Sequence, residues 1–250
     1  MRISIELVPR DEKALKSELS LIKSGFPSIN TINIPDLTRF DLRSWDAACM
    51  AKSFFNHSIP HIRAMDFDCT DTVPFLDALE AYAIKELLVV TGDVPKDGGR
   101  TVYPTTCVDL IAKLKKEHPH LKVYAAIDQY RGSIRDEYEY VQRKLDAGAD
   151  GFFTQPFFDL RLMELYAEML AGTEVFWGVS PVVSEKSQRY WETRNRVVFP
   201  IDFAPTLEWN IEFSRRALAF TKQTGNHIYF MPIKVDLEAY LEGVFEQVPV

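Results

Sequence analysis

A glutamate interrupts an apolar run in "ISIELVP" at residues 3 to 9, where Glu6 sits between Ile5 and Leu7. Burying an ionised carboxylate is costly unless it is paired or neutralised, so its place in a strand-like stretch points to a site. A second acid, Asp93, follows a glycine in "VVTGDVPKDGG" (89–99), and an amide, Gln155, precedes an aromatic pair in "DAGADGFFTQPFFD" (146–159). A carboxylic acid donates a proton near neutral pH when burial raises its pKa. An amide offers a donor and an acceptor together, which beside aromatic walls suits a flat heterocycle. Glycines let backbone approach a ligand closely, and successive amides can hold an anion. Each stretch also has a plainer reading: Gly, Asp and Pro are the usual residues of a connecting loop, and a strand glutamine can be satisfied by backbone.

Other residue types narrow the chemistry. His61, in "PHIRAMD" (60–66), is the one histidine placed for a site, and a core histidine with a satisfied hydrogen bond is equally compatible with its position. His118 and His120 fall at a helix end in "KEHPH", His57 reads as surface, and His227 precedes a strand. No HExxH spacing occurs and no metal site is expected. Neither a GxSxG elbow, a GxGxxG fingerprint nor a GxxxxGK[ST] loop is present.

Composition bounds the rest. The 250 residues are 46% hydrophobic and 26% charged, enough for one full core. The net charge of −7 comes from interspersed signs, without a basic stripe, which argues against nucleic acid and anionic membrane as partners. Cys49, Cys69 and Cys107 are far apart and lack a CxxC, so reduced thiols are expected. Arg2, Glu6, Arg10, Asp11 and Glu12 exclude a signal peptide at the start, and no apolar stretch reaches the roughly 18 residues of a spanning helix. A cytoplasmic protein is expected.

The elements that must position these residues alternate regularly. Strands are expected at ISIELV (3–8), SINTINI (28–34), HIRAMDF (61–67), ELLVVTG (86–92), KVYAAID (122–128), GFFTQ (151–155), EVFWGVS (174–180) and IYFMPI (228–233). Between them lie helical patterns such as "CVDLIAKLKKEH" and "EYEYVQRKLDAG", with stop glycines at Gly148 and Gly172. All but the last gap between strand starts span about 23 to 36 residues, the spacing of parallel βα units. The last gap is longer, and "RVVFPIDFAP" is expected to add a short segment there. Eight such units in one domain over residues 1–250 indicate a (β/α)₈ TIM barrel, with a doubly wound open sheet as the runner-up. In the first strand Ile3, Ile5 and Leu7 share one face, which turns Glu6 inward near the C-terminal mouth. The same alternation pairs His61 with Arg63, Thr91 with Asp93, and Phe153 with Gln155, all at strand ends where barrel enzymes build sites.

"SIELVP", "PHIRAMD", "VVTGDVPKDGG", "RKLDAGADGFFTQPFFD", "WGVSPVVS" and "IYFMPIKVDL" occur in this order along the chain. Together they resemble the catalytic barrel of the methylenetetrahydrofolate reductase family over residues 3 to 245, without a regulatory extension. The resemblance implies a barrel holding non-covalent FAD at its C-terminal face. Hydride from NADH or NADPH would pass through the flavin to 5,10-methylenetetrahydrofolate, giving 5-methyltetrahydrofolate. It makes Glu6 the general acid, Asp93 an acid near flavin and pterin, and Gln155 and Lys234 folate-binding residues. It places Asn33, His61, Thr91, Gly92, Asp93, Tyr103, Arg143 and Lys144 around FAD. The chain departs from the family pattern at Thr91 and Lys234, where arginine is usual, and at "VSEKS" (183–187), where an aromatic is usual. "DQYRGSIRDEYEY" (128–140) also fits the adenine-side pattern poorly. A family member that binds folate or flavin without catalysis is the alternative. An aldolase- or hydrolase-type barrel would instead need a Schiff-base lysine or metal cluster at strand ends. Self-association and an electron-delivering partner are both left open.

Overall fold

Short runs that are apolar on alternate residues can bury both faces when the sheet closes on itself with helices outside. The computed structural model, which describes residues 1–94 and 100–246, has this arrangement. Strands β1 (Ile3–Glu6), β2 (Thr31–Ile34), β3 (His57–Arg63), β4 (Glu86–Val90), β5 (Lys122–Ile127), β6 (Gly151–Pro156), β7 (Val175–Val179) and β8 (His227–Phe230) run parallel in chain order. β8 closes the ring against β1, with Ile5 opposite Phe230, which makes the fold a TIM barrel and excludes the open sheet.

Helices α1 (Glu12–Gly25), α2 (Ser44–Ala51), α3 (Leu76–Ala81), α4 (Cys107–Glu117), α5 (Ile134–Asp146), α6 (Leu160–Met169), α7 (Glu185–Arg194), α8 (Leu207–Thr224) and α9 (Leu237–Phe245) follow the strands. Their starts are encoded locally. Thr106 with Asp109, and Ser133 with Asp136, form reciprocal capping boxes at α4 and α5, and Asp11 caps α1. The inward residues of these helices pack on the outward faces of the strands, as Leu15, Leu19 and Ile22 of α1 do.

Three expectations shift. β3 begins at His57 rather than His61, and Ala64–Asp66 is a 3₁₀ turn rather than strand. Pro60 masks this in the sequence, because proline lacks a ladder donor, yet it pairs with Ile34 inside the sheet. β2 starts at Thr31, three residues later than the apolar run suggests. The long last gap holds a whole additional helix, α7, and "RVVFPIDFAP" is an irregular connector to α8. Its Phe199 and Phe203 stack at 4.1 Å and pack beside Phe158 and Trp209. The glycine pair Gly98–Gly99 lies outside the described residues.

The barrel interior is layered. Ile59, Leu88, Tyr124, Phe153, Phe176, Tyr229 and Met231 form an apolar middle, with Phe153 stacked on Phe176 at 4.1 Å. Below it, at the N-terminal end, Arg2 donates to Glu86 at 2.6 and 2.9 Å. Glu174 there accepts from the Tyr124 hydroxyl at 2.9 Å and meets His227 Nε2 at 3.1 Å and Lys122. Burial pushes the Glu174 carboxyl up, but the hydrogen bonds from His227, Lys122 and Tyr124 outweigh it and hold the group down at about 2. This ionic floor seals one end and leaves the C-terminal end for ligands.

β6 and β7 approach so closely that register breaks between Phe153 and Pro156. Gly178 permits it: a Cβ there would lie 2.6 Å from the Thr154 carbonyl and 2.7 Å from Met231 Cε. Gly178→Ala is expected to lower stability by about 2 kcal/mol through overpacking. Gly172→Ala, whose Cβ would meet nothing within 4 Å but whose φ is +82°, should lose about 1 kcal/mol. Chemical denaturation of the two variants checks this; equal losses would contradict the close approach at Gly178.

Candidate functional site

At the C-terminal ends of β3 to β6 opens a cleft of about 610 Å³. His61, Arg63, Thr91, Gly92, Asp93, Lys144 and Gln155 all line it, together with Arg39 from the β2–α2 connection and Tyr190 from α7. A smaller cavity of about 170 Å³ at the ends of β1 and β8 is lined by Glu6, Arg10, Glu18, Arg39 and Lys234 among others. Arg39 borders both, so the two spaces meet around one side chain.

Glu6 points inward, as strand alternation requires, and sits opposite Asn33 in the β1–β2 register. Burial raises its carboxyl to about 7, against a smaller opposing effect from the hydrogen bond donated by Tyr229. His61 is shifted in the opposite direction: burial lowers its imidazole to about 3, although Asp36 pulls it up. Its buried Nε2 has no partner among the described residues. At pH 7 the mouth therefore contains a neutral imidazole and a carboxyl near its midpoint.

Gly92 adopts a φ of +88°, and a Cβ there would lie 3.0 Å from the Arg63 guanidinium carbon. That contact lets Arg63 Nη2 donate to the Asp93 carbonyl at 2.6 Å, which fixes the turn carrying Asp93 into the cleft. Gln155 lies in the β6 irregularity. Its carbonyl, freed from the ladder, accepts from Gln129 Nε2 at 2.9 Å, while Tyr130 donates to the Pro156 carbonyl at 3.0 Å. These two residues hold the segment that presents the Gln155 amide.

Lys144 is buried, donates to the Ala126 carbonyl at 2.6 Å, and lies 3.7 Å from Glu137 and 3.7 Å above the Tyr140 ring. Burial pushes both members of this pair toward neutrality, raising Glu137 and lowering Lys144. Thr91 sits beside it, with its hydroxyl 3.3 Å from Cys107 Sγ.

Three of the expected positions lie elsewhere. Asn33 is buried opposite Glu6, donates to the Ser4 hydroxyl, and lines neither cavity. Tyr103 bonds the Met65 carbonyl through its backbone N–H at 2.9 Å and lines neither cavity. Arg143 is exposed on α5 with its guanidinium 4.9 Å from the Tyr140 ring centre, away from the cleft.

The sequence reading missed a charge network on the rim. Asp36 accepts from Arg43 at 2.8 Å and Arg100 at 3.1 Å, while Asp66 accepts from Arg43, Arg63 and Arg100 at 3.0, 3.1 and 3.3 Å. The two aspartate side chains are almost wholly buried and receive three arginines. The position of Asp36 just beyond the β2 end was the available signal. Among the described residues no group of three or more His, Cys, Asp or Glu side chains is placed to hold a metal, and no helix is long and apolar enough to cross a membrane.

The sequence profile of the methylenetetrahydrofolate reductase family matches residues 15–217, and the chain belongs to that family. A 5,10-methylenetetrahydrofolate reductase of Pectobacterium carotovorum subsp. carotovorum is 23% identical over 146 residues, covering 56% of this chain and 49% of that protein. The chain thus spans about half the length of that curated relative. Among solved structures, an uncharacterized protein from Clostridium thermocellum that binds two copies of 5-methyl-5,6,7,8-tetrahydrofolic acid superimposes with a TM-score of 0.62. It is 11% identical, with 97% of this chain and 93% of that one covered. A 2,3-dimethylmalate lyase of the PEP mutase/isocitrate lyase superfamily gives 0.58 at 13% identity, with 93% and 75% covered. At these identities the structural likeness shows the fold alone.

The raised carboxyl of Glu6 has a thermodynamic signature. Its native pKa of about 7 exceeds the unfolded value near 4.5. Between those values the native state binds more protons, so Glu6 makes stability fall as pH rises through that window. Glu6→Gln is expected to be more stable than wild type at pH 8 by on the order of 2 kcal/mol. The gain should shrink below pH 7 and vanish below 4.5. Urea denaturation across pH checks it; a difference independent of pH would refute the shift.

Proposed function

We propose that this member of the methylenetetrahydrofolate reductase family reduces 5,10-methylenetetrahydrofolate to 5-methyltetrahydrofolate, or runs the reverse oxidation, with FAD and NADH or NADPH. The observation that carries the reading is Glu6, a carboxyl raised to about 7 at the barrel mouth. General acids work best when their pKa lies near the working pH. Glu6 would protonate a nitrogen of the folate imidazolidine ring and so open it to an electrophilic methylene iminium. Gln155, with its donor and acceptor, and Asp93 would orient the pterin from the neighbouring cleft. Lys234 and Arg39 bring positive charge to the same mouth, where the carboxylates of a folate tail would leave the barrel.

The cleft residues fit a flavin. Its volume of about 610 Å³ falls within the range of cofactor sites. The unpartnered, buried His61 Nε2 offers a neutral polar atom to a ring heteroatom. Thr91 and Gly92 would meet the ring edge, and Arg39 and Arg131, both lining the cleft, would face a diphosphate. When bound there, FAD supplies hydride transfer, which side chains alone cannot. The Clostridium thermocellum protein supports a folate ligand in a barrel of this shape.

A second reading, a family member that binds folate or flavin without turnover, draws on two cleft cations. Arg63 and Lys144 are already committed to Asp66 and Glu137, and Thr91 adds no charge.

The test is the purified protein itself. A flavin spectrum and folate-dependent oxidation of reduced flavin are expected. Glu6→Gln should keep the flavin but lose at least about 100-fold in turnover. Unchanged turnover would remove Glu6 from its role, and a colourless protein that resists reconstitution yet binds folate by calorimetry would favour the second reading.

A further inference from the structure

Tyr229 is assigned no role by the family resemblance, and its ring belongs to the apolar middle layer of the barrel. It is 3% exposed, lies edge-on to Phe153 at 5.2 Å, and ends in a hydroxyl that donates to Glu6 Oε2. We infer that Tyr229 is a positioning residue for the acid: by occupying Oε2 as a fixed donor, it leaves Oε1 to carry the transferable proton. This rests on the reading of Glu6 as general acid.

The geometry carries the assignment, and the direction in which the hydroxyl is shifted agrees with it. The hydroxyl emerges from a layer lined by Ile59, Leu88, Tyr124, Phe153, Phe176 and Met231, and Glu6 Oε2 is its hydrogen-bond partner. Burial, and then the charge of Glu6, hold the Tyr229 hydroxyl well above the ordinary phenol range, so it keeps its proton across physiological pH. A donor of this kind stabilises the carboxylate over the acid. In the step served, the Glu6 Oε1–H bond breaks and an N–H bond forms on a folate nitrogen. That nitrogen takes up the electron pair of its breaking C–N bond to the methylene carbon. Glu6 is left as a carboxylate, with the Tyr229 hydrogen bond in place to receive the new charge.

Other charged groups face Glu6 across the small cavity: Arg10 from the β1–α1 connection, Glu18 from α1, Arg39 from the β2–α2 connection and Lys234 beyond β8. Asn33 and Ser4 beside it are neutral. Tyr229 differs from all of these in donating a hydrogen bond to the Glu6 carboxyl.

The experiment titrates the Glu6 carboxyl in the ligand-free protein by infrared difference spectroscopy, with Glu6→Gln identifying the band. Tyr229→Phe, which keeps the ring and removes the donor, should move the titration upward by about one pH unit. Tyr124→Phe, which removes an interior hydroxyl bonded to Glu86 and Glu174 at the floor, should leave it in place. A titration unmoved by Tyr229→Phe, or moved equally by Tyr124→Phe, overturns the assignment. Should Tyr229→Phe fail to fold, site-specific fluorotyrosine at 229 is a stronger donor and must move the titration down; no movement overturns the assignment as well. In turnover, Tyr229→Phe should lower kcat about tenfold with KM nearly unchanged and extend the alkaline limb upward. Because the titration needs no substrate, it decides the Tyr229–Glu6 link separately from turnover, and a Glu6→Gln variant with turnover intact would instead remove Glu6 from the role of acid.

Discussion

An eight-stranded barrel closed on itself has an interior just wide enough for side chains, so an inward polar group must find its partner inside or sit at an end. Everything else in this molecule follows from how that constraint is met. At the N-terminal end Arg2, Glu86, Tyr124, Glu174, His227 and Lys122 satisfy one another. Aromatic rings fill the middle. Toward the C-terminal end, among the described residues, the buried Asn33 Oδ1 and His61 Nε2 have no partner, and Glu6 lies opposite Asn33. The closed floor and packed middle leave the open mouth as a place where a ligand can complete the hydrogen bonding.

The mouth separates neutral from charged chemistry. Glu6 is pushed up to about 7 and His61 down to about 3 by the same cause, loss of water. Around them buried acids have cationic partners: Asp36 and Asp66 share three arginines, and Glu137 faces Lys144. Two titratable groups driven apart by their surroundings are the usual means by which one site holds distinct acid and base roles. Here the rim arginines anchor the β2 and β3 connections, so the charge network serves to hold the walls between which the neutral groups sit.

Much of this was legible in the sequence because period-2 alternation fixes which side chains enter a barrel. Glu6, His61, Arg63, Thr91 and Gln155 were found on the inner face by that rule alone. It failed where a local rule outvoted it. Pro60 disguised the first half of β3, and the family resemblance, which implied cofactor roles for two neighbouring helix residues, does not record which of them turns inward. Arg143 and Lys144 are consecutive on α5, about 100° apart around its axis, so when Lys144 turns inward Arg143 cannot. The rim network was illegible for a different reason. Asp36, Arg43, Asp66 and Arg100 come from widely separated connections, and no spacing in the chain records that they meet. Tyr229 was hidden by its type, since an aromatic residue in "IYF" reads as core, and in all but its hydroxyl it is core.

This distribution also says which part of a ligand each region can recognise. Buried groups such as the His61 imidazole and the Glu6 carboxyl act at short range and feel salt little, which would suit a flat heterocycle. Arg39 and Lys234 are exposed, and their attraction for an anionic tail would be screened within about 10 Å at ordinary ionic strength. Exposed cations of this kind govern approach more than final affinity. Discrimination would then reside at the inner end of the mouth, where an unpaired polar atom is most costly and where the Tyr229 hydroxyl is hydrogen-bonded to Glu6.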